Sequence, residues 1–377
     1  MKKLLFFIVL FLVCFKVSAL DLGSAKSGLL MEYSTGKVLY ELNSHERLAP
    51  ASMTKIMTML LVMEKIDEGK ISMDSLVNIS NNASSMGGSQ MFLEENSNIK
   101  VSELLKGISI ASANDAAVAL AEYVGGSLDN FVKMMNDKVE ELGLKDTHFN
   151  NVHGLDSDGH YSSAYDMAIM ARELIKHSDI LKFTSTYEDY FNKEDGSRTW
   201  LVNTNRLVRF YKGVDGLKTG YTNNAKYCLT ATAMKNNIRF ISVLMGVDTS
   251  DERSKITSEL LNYAFNSYKL NNILNKTSDL GNIYVEKGNK EYAKLSIRED
   301  INEVEEINSD NKKYTFKINK NVIKAPISKG SKVGSVEIID SDNNIIREED
   351  LIIEEDINKI SFIRLLFKNL RVLLTGI

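Results

Sequence analysis

Apolar and polar positions follow three rhythms along this chain, and each predicts a different kind of element. The segment Met53-Thr54-Lys55-Ile56-Met57-Thr58-Met59-Leu60-Leu61-Val62-Met63 is almost continuously apolar, long enough for a buried helix, and has Pro50 just upstream of its start. A second apolar stretch runs from Leu104-Leu105 through Ile108 and Ile110 to Ala116, Ala117, Val118, Ala119 and Leu120. Polar Ser112-Ala113-Asn114 breaks it and predicts a helix junction, with an N-cap for the following helix and Asp115 favouring its dipole. A Thr35-Gly36 pair between two strand-like runs predicts a hairpin. Gly213 to Thr222 reads as a turn feeding a strand, and Lys226 to Ala231 as a strand beside it. Beyond about residue 269 the texture changes to short alternating runs, Asn282 to Val285, Tyr292 to Ile297, Tyr314 to Ile318 and Val333 to Ile339, which predicts a separate all-β module.

The two ends carry patterns of their own. Met1-Lys2-Lys3, the apolar run Leu4 to Phe15 and Val17-Ser18-Ala19 have the basic start, apolar centre and small-residue exit of a secretory signal peptide, residues 1–19, so the mature protein is expected to start near Leu20. The final segment places Arg364, Lys368 and Arg371 on one helical stripe among many apolar residues, with no acid after Asp356. A spanning helix would bury those cations at about 2.5–3.5 kcal/mol each, so residues 356–377 are expected to form an amphipathic helix lying in a membrane interface. A length of 377 residues allows one large domain, 20–268, and a smaller one, 269–355. The net charge of −4 gives no reason to expect a nucleic-acid partner.

Cysteine and histidine narrow the chemistry. Cys14 falls in the leader, where the preceding valine makes a poor lipobox, and the remaining Cys228 reads as a packed strand residue with no disulfide partner. The five histidines form no metal motif, and Asp156-Ser157-Asp158-Gly159 lacks the alternating ligands and distal glutamate of a calcium loop. His153 and His160 are expected to serve as loop hydrogen-bonding residues.

Nucleophilic chemistry has a better signal. Ser52-Met53-Thr54-Lys55, Ser112-Ala113-Asn114 and Lys218-Thr219-Gly220 occur in that order. Ser-x-x-Lys also occurs at Ser34, Ser97 and Ser309, but those copies sit in a hairpin turn or in polar loops. Ser52 alone stands at a helix start, where residues three apart share a face and the Lys55 amine reaches the serine hydroxyl. Burial and a neighbouring cation such as Lys218 would depress the lysine pKa far enough for it to act as a base. Gly220 in the predicted strand would let a substrate backbone approach closely.

At these residues the chain resembles the penicillin-recognising serine DD-peptidases, most closely the low-molecular-mass D-alanyl-D-alanine carboxypeptidases. The likeness runs through Leu30-Met31-Glu32, Thr35 to Tyr40, Ala51 to Thr58, Gly88 to Phe92, Ser112 to Asp115, His153 to Asp156, His160 to Asp166 and Val214 to Thr222, most of residues 22–268. The resemblance implies an α/β (α+β) transpeptidase/β-lactamase-like domain, with an antiparallel sheet and a helical subdomain holding Ser112. Ala325-Pro326-Ile327-Ser328-Lys329-Gly330 resembles the same enzymes' small C-terminal β-sandwich. It further implies that Ser52 attacks the carbonyl between two terminal D-alanines of a peptidoglycan stem peptide, with Lys55 as acylation base. Ser112, Asn114 and Lys218 would line the cleft, and Thr219 would contact the substrate carboxylate. The N–H groups of Ser52 and Tyr221 would form the oxyanion hole, and Arg253 would help receive the terminal carboxylate. No cofactor is called for, and β-lactam antibiotics would acylate Ser52. Exported and anchored through the terminal helix, the enzyme would work in the wall compartment on the outer face of the cytoplasmic membrane.

The chain departs from the family pattern twice, with Ala113 where glycine is usual and Tyr221 where histidine is common. A class A β-lactamase shares the three motifs, but also needs a Glu-x-x-x-Asn deacylation element about midway, and the obvious match, Glu188 to Asn192, comes much later. A non-catalytic wall-binding protein on the same fold is the other alternative, and the intact Ser52, Lys55, Ser112 and Lys218 speak against it.

Overall fold

The computed structural model describes residues 20–193, 195–309, 312–364 and 366, and the chain divides into two compact units, one through Ala264 and one from Phe265 onward. The expected signal peptide, 1–19, lies outside the described residues. In chain order the first unit holds β1 (Ser27–Glu32), β2 (Val38–Leu42), α1 (Lys55–Asp67), β3 (Leu76–Asn78), α2 (Asn81–Ser84), β4 (Asn98–Lys100), α3 (Val101–Ala111), α4 (Asn114–Gly125) and α5 (Leu128–Glu141). There follow α6 (Ala164–Lys176), α7 (Ile180–Thr184), β5 (Glu188–Asn192), β6 (Arg198–Val202), α8 (Leu207–Phe210), β7 (Val214–Thr222), β8 (Lys226–Lys235), β9 (Ile238–Val247) and α9 (Ser250–Ser267).

Five strands form one antiparallel sheet in the order β2-β1-β9-β8-β7, with the expected hairpin joining β1 to β2. The central β9 is buried at nearly every position, Phe240-Ile241-Ser242-Val243-Leu244-Met245 included, because both faces of the sheet are covered. Helix α6 packs against β1 and β9 on one side and against α1 on the other. A helix apolar all round must sit inside a core, and α1 does: every residue from Lys55 to Met63 is buried, and α4, α5 and α6 surround it. The small Ala116, Ala117, Ala119 and Ala121 of α4, all buried, let α1, α3 and α5 approach closely.

The second unit contains β10 (Tyr268–Leu274), β11 (Asn282–Glu286), β12 (Tyr292–Ile297), β13 (Ile301–Glu306), β14 (Thr315–Lys320), β15 (Ile323–Lys324), β16 (Lys332–Ile339) and β17 (Ile345–Ile353). Two sheets result, one ordered β14-β16-β17-β12-β11-β15 and one pairing β10 with β13. Alternation turns Ile283, Val285, Leu295, Val336, Ile338, Leu351 and Ile353 into one core. The fold class is therefore the expected one, an α/β catalytic unit followed by a β-sandwich.

The boundary of the expected terminal helix needs correction. Ile357 is 1% exposed within the second core and pairs with Ile327, Lys359 bridges to Gly288, and the Ile360 N–H donates to the Lys287 carbonyl. Residues 357–360 thus belong to the β unit, and among the described residues of this segment those at 362–364 and 366 are helical. The rest of that segment lies outside the described residues.

Candidate active site

The turn that carries Ser52 is built by strain and packing. Pro50 enters it, Ala51 adopts a left-handed φ of 46°, and the Pro50 carbonyl accepts from the Met53 N–H at 3.1 Å. Ser52 lies in this 3-10 turn, Ala51–Thr54, three residues before α1 starts rather than at its first residue. Thr54 and Met53 are buried and hold the turn down, Thr54 through a 2.8 Å hydrogen bond to His160 Nε2.

Lys55, the first residue of α1, is fully buried, and its Nζ meets three oxygens: Ser52 Oγ at 2.9 Å, Asn114 Oδ1 at 2.7 Å and the His153 carbonyl at 2.7 Å. The Asn114 amide has a fixed orientation, because its Nδ2 donates to the Gly87 carbonyl at 2.7 Å. Asn114 Oδ1 and the His153 carbonyl can only accept. A neutral Lys55 therefore spends both N–H bonds on them and turns its lone pair toward Ser52 Oγ. Burial pushes the Lys55 pKa well below the ordinary amine value, the Lys218 charge pushes it the same way, and Asp115 opposes them.

Strand β7 forms the other wall. Lys218 is 1% exposed, and its Nζ donates to the Thr219 carbonyl at 3.2 Å. Burial and, after it, the Arg253 charge bring its pKa down to about 7. Thr219 Oγ1 donates to Thr204 Oγ1 at 2.7 Å. Gly220 has a different reason to be glycine from the one expected: a Cβ there would sit 2.7 Å from the Pro50 carbonyl and 3.3 Å from Ser52 N, so the close approach is to the turn that carries Ser52. Tyr221 follows with its ring half exposed, 4.4 Å from that of Tyr227.

Ser112 sits at the C-terminal end of α3 with φ 63°, and Ala113, not Ser112, is the N-cap of α4. The expected serine N-cap is thus replaced by a left-handed junction, in which Ser112 caps α3 with its N–H on the Gly107 carbonyl. Asp115 binds a loop as well as lying in the first turn of α4: its carboxylate accepts the N–H groups of Met91, Leu93 and Ala116. Arg253, on α9, is 4% exposed; its Nη1 lies 3.5 Å from the carbonyl of Cys228, the residue opposite Gly220, and its Nε has no hydrogen-bond partner. Burial raises the Cys228 thiol to about 11, in keeping with a packed residue.

Three contributors escaped the sequence reading. His153 was expected to act in loop hydrogen bonding, and its ring does accept from the Leu155 N–H, but its carbonyl is what holds Lys55. Gly154 has φ 89°, and a Cβ on it would fall 1.9 Å from the Ala51 carbonyl oxygen, so this glycine seats the nucleophile turn. The Gly87 carbonyl orients Asn114. Only Gly154 left a trace in the sequence, as a glycine in a loop otherwise rich in polar residues. The rival serines are in turns: Ser34 binds the Glu32 carboxylate, and Ser97 and Ser309 donate to the carbonyls of Glu94 and Glu306.

A helix-covered antiparallel sheet with a serine and a buried lysine at its edge defines the class, serine acyl-transfer hydrolases. Residues 15–249 match the model of the D-alanyl-D-alanine carboxypeptidase peptidase family, and residues 268–359 that of the C-terminal domain of penicillin-binding protein 5. The chain is 50% identical over 346 residues to D-alanyl-D-alanine carboxypeptidase DacF of Bacillus subtilis (strain 168), covering 91% of this chain and 88% of that one. It is 35% identical over 358 residues to DacA of Escherichia coli (strain K12), covering 91% and 88%. The crystal structure of penicillin binding protein 5 from Haemophilus influenzae superposes with a TM-score of 0.72 at 34% identity, over 89% of this chain and 98% of that one. The chain belongs to the D-alanyl-D-alanine carboxypeptidase family. The β-lactamase alternative falls away, and Glu188 of its candidate motif is exposed on strand β5.

Proposed function

We propose that this D-alanyl-D-alanine carboxypeptidase removes the terminal D-alanine of peptidoglycan stem peptides through an acyl-enzyme on Ser52. The observation that carries this reading is the three-oxygen cage around Lys55, which aims the lone pair of a neutral amine at Ser52 Oγ. Lys55 takes the hydroxyl proton while Oγ bonds to the carbonyl carbon between the two D-alanines. The N–H groups of Ser52 and Tyr221 receive the developing oxyanion, an interaction whose loss typically costs about 10²- to 10³-fold in rate. The intermediate collapses, the C–N bond breaks, and the proton on Lys55 returns to the leaving amine along a path lined by Ser112. Water then hydrolyses the ester. Lys218 and Thr219 meet the substrate carboxylate at the cleft, and Arg253, buried behind them, reinforces the positive field. β-Lactams acylate the same oxygen.

The enzyme acts outside the cytoplasm, in keeping with its wall-directed relatives. The finer placement rests on sequence: the basic, apolar segment after Ile360 anchors it peripherally to the outer face of the membrane. No helix among the described residues is long and apolar enough to cross a membrane. Truncation after Ile360 should release an active enzyme from anionic vesicles; undiminished vesicle binding would remove the anchor from that segment. For the chemistry, mass mapping of a penicillin adduct should find it on Ser52, and Ser52→Ala should take up none. An adduct on another residue would overturn the mechanism.

A further inference from the structure

The hairpin β5–β6 presents an aromatic face for which the acyl-transfer machinery has no use. Its inner face is tied to the body of the first unit: Phe191 and Leu201 are buried, Thr199 Oγ1 donates to the Met91 carbonyl at 3.1 Å, and Lys106 pairs with Asp189 and donates to the Tyr190 carbonyl. Its outer face is formed by Glu188, Tyr190, Asn192, Arg198 and Trp200. Tyr190 and Trp200 are direct cross-strand partners, 42% and 59% exposed, and the Arg198 guanidinium stacks 4.3 Å above the Tyr190 ring. Single exposed apolar residues are ordinary, but two aromatic rings side by side on a braced hairpin, rimmed by an amide, a carboxylate and a guanidinium, form a recognition surface.

That composition suits a pyranose chain. Flat rings pack against the C–H faces of sugars, and the planar amide, carboxylate and guanidinium groups satisfy equatorial hydroxyls and N-acetyl groups. An extended peptide would instead add to a strand edge of this two-stranded hairpin and would leave its aromatic face unused. Location points the same way. From Trp200 the chain runs through Val202 and Asn203 to Thr204, whose hydroxyl touches Thr219 of the cleft. Four residues reach at most about 14 Å. A stem peptide joins its sugar to the scissile carbonyl through four residues, a comparable reach. We propose that the β5–β6 outer face binds the glycan strand of peptidoglycan, β-1,4-linked N-acetylated aminosugars, while the attached peptide lies in the cleft. This rests on the stem-peptide reading of the active site.

The chain contains one tryptophan, so intrinsic indole fluorescence reports this face directly. Titration of the Ser52→Ala protein with the tetramer of β-1,4-linked N-acetylglucosamine, which carries no peptide, should shift the Trp200 emission saturably, and Tyr190→Ala should weaken the response. In the active enzyme, Trp200→Ala should lower kcat/KM about tenfold for a glycan-linked pentapeptide and leave the free pentapeptide unchanged. No saturable emission change, or equal losses on both substrates, would overturn the glycan site. Inactivity of the wild-type enzyme on both substrates would instead refute the carboxypeptidase reading, and the fluorescence titration would still decide the sugar site.

Discussion

The two units treat buried charge in opposite ways and place their backbone strain differently. The first buries Lys55, Lys218 and Arg253, gives Lys55 only uncharged hydrogen-bond acceptors, and places Ala51 and Ser112 at positive φ beside them. The second keeps its described lysines outside, some in cross-strand pairs such as Lys317 with Glu337 and Lys332 with Asp350, around an apolar core. Burying a cation without a counter-ion is destabilising, and local strain adds to the cost. In the first unit burial lowers the pKa of Lys218 and of Lys55, and a neighbouring cation adds to it, Arg253 at Lys218 and Lys218 at Lys55. The second unit has left-handed residues too, Lys287 and Asn343, but they lie in the connections between strands, and its buried acid Glu305 is hydrogen-bonded to Tyr314.

The sharpest way to break this contrast is Lys55→Met. It should lower the rate of β-lactam acylation by about 10²- to 10⁴-fold, the range for loss of a general base, while thermal unfolding shifts little. An equally large fall in stability would mean that Lys55 holds the fold rather than the chemistry.

Two glycine substitutions test the strain. Gly154→Ala would drive a methyl group into the Ala51 carbonyl, displace Ser52 and lower acylation about 10²-fold. Gly330→Ala in the second unit has nothing within 4 Å at φ 81°, so only the left-handed strain of about 1–2 kcal/mol should appear, as a lower Tm with full acylation. Comparable activity losses in the two variants would erase the distinction.

Charge coupling predicts a shift in pH rather than a simple loss. Removing the Lys218 cation relieves one of the influences that lower the Lys55 pKa, so in Lys218→Met the pKa of Lys55 rises. The midpoint of acylation rate against pH should then move to higher pH, independently of any fall in the plateau. An unmoved midpoint would show that burial alone sets Lys55.

The smallest effect concerns acid stability. Burial, with a lesser contribution from His148, holds His160 at about 4, below its ordinary value near 6.5. Between those values the unfolded chain binds the extra proton and the folded one does not, so stability falls as pH drops from about 6.5 toward 4 and levels off below. His153, also near 4, acts in the same sense. Thermal melts should show this slope, and His160→Gln should flatten it.

Much of this was written in local sequence. The apolar run after Ser52, the break at Ser112 and the alternating runs after residue 269 each specify their element, because periodicity and turn chemistry act over a few residues. The i,i+3 spacing of Ser52 and Lys55 was enough to bring hydroxyl and amine together, since the turn keeps both on one side. Four strands of the second unit, β10, β13, β15 and β17, left weaker signals: Tyr268–Leu274 is half exposed, Ile323–Lys324 is two residues long, and Ile345–Ile353 carries Arg347-Glu348-Glu349-Asp350 at its centre, which blurs alternation.

What the sequence determined by itself was the set of reactive groups and the elements bearing them. Tertiary structure decided how Lys55 is aimed, and supplied the burial that lowers its pKa. Lys55 meets the Asn114 side chain across 59 positions of chain and the His153 carbonyl across 98; the first is oriented by the Gly87 carbonyl and the second is itself a backbone oxygen, which no side-chain pattern encodes. Gly154 and Gly220 were likewise visible as glycines, but their reason for being so, the carbonyls of Ala51 and Pro50 pressed against them, exists only once distant segments pack together.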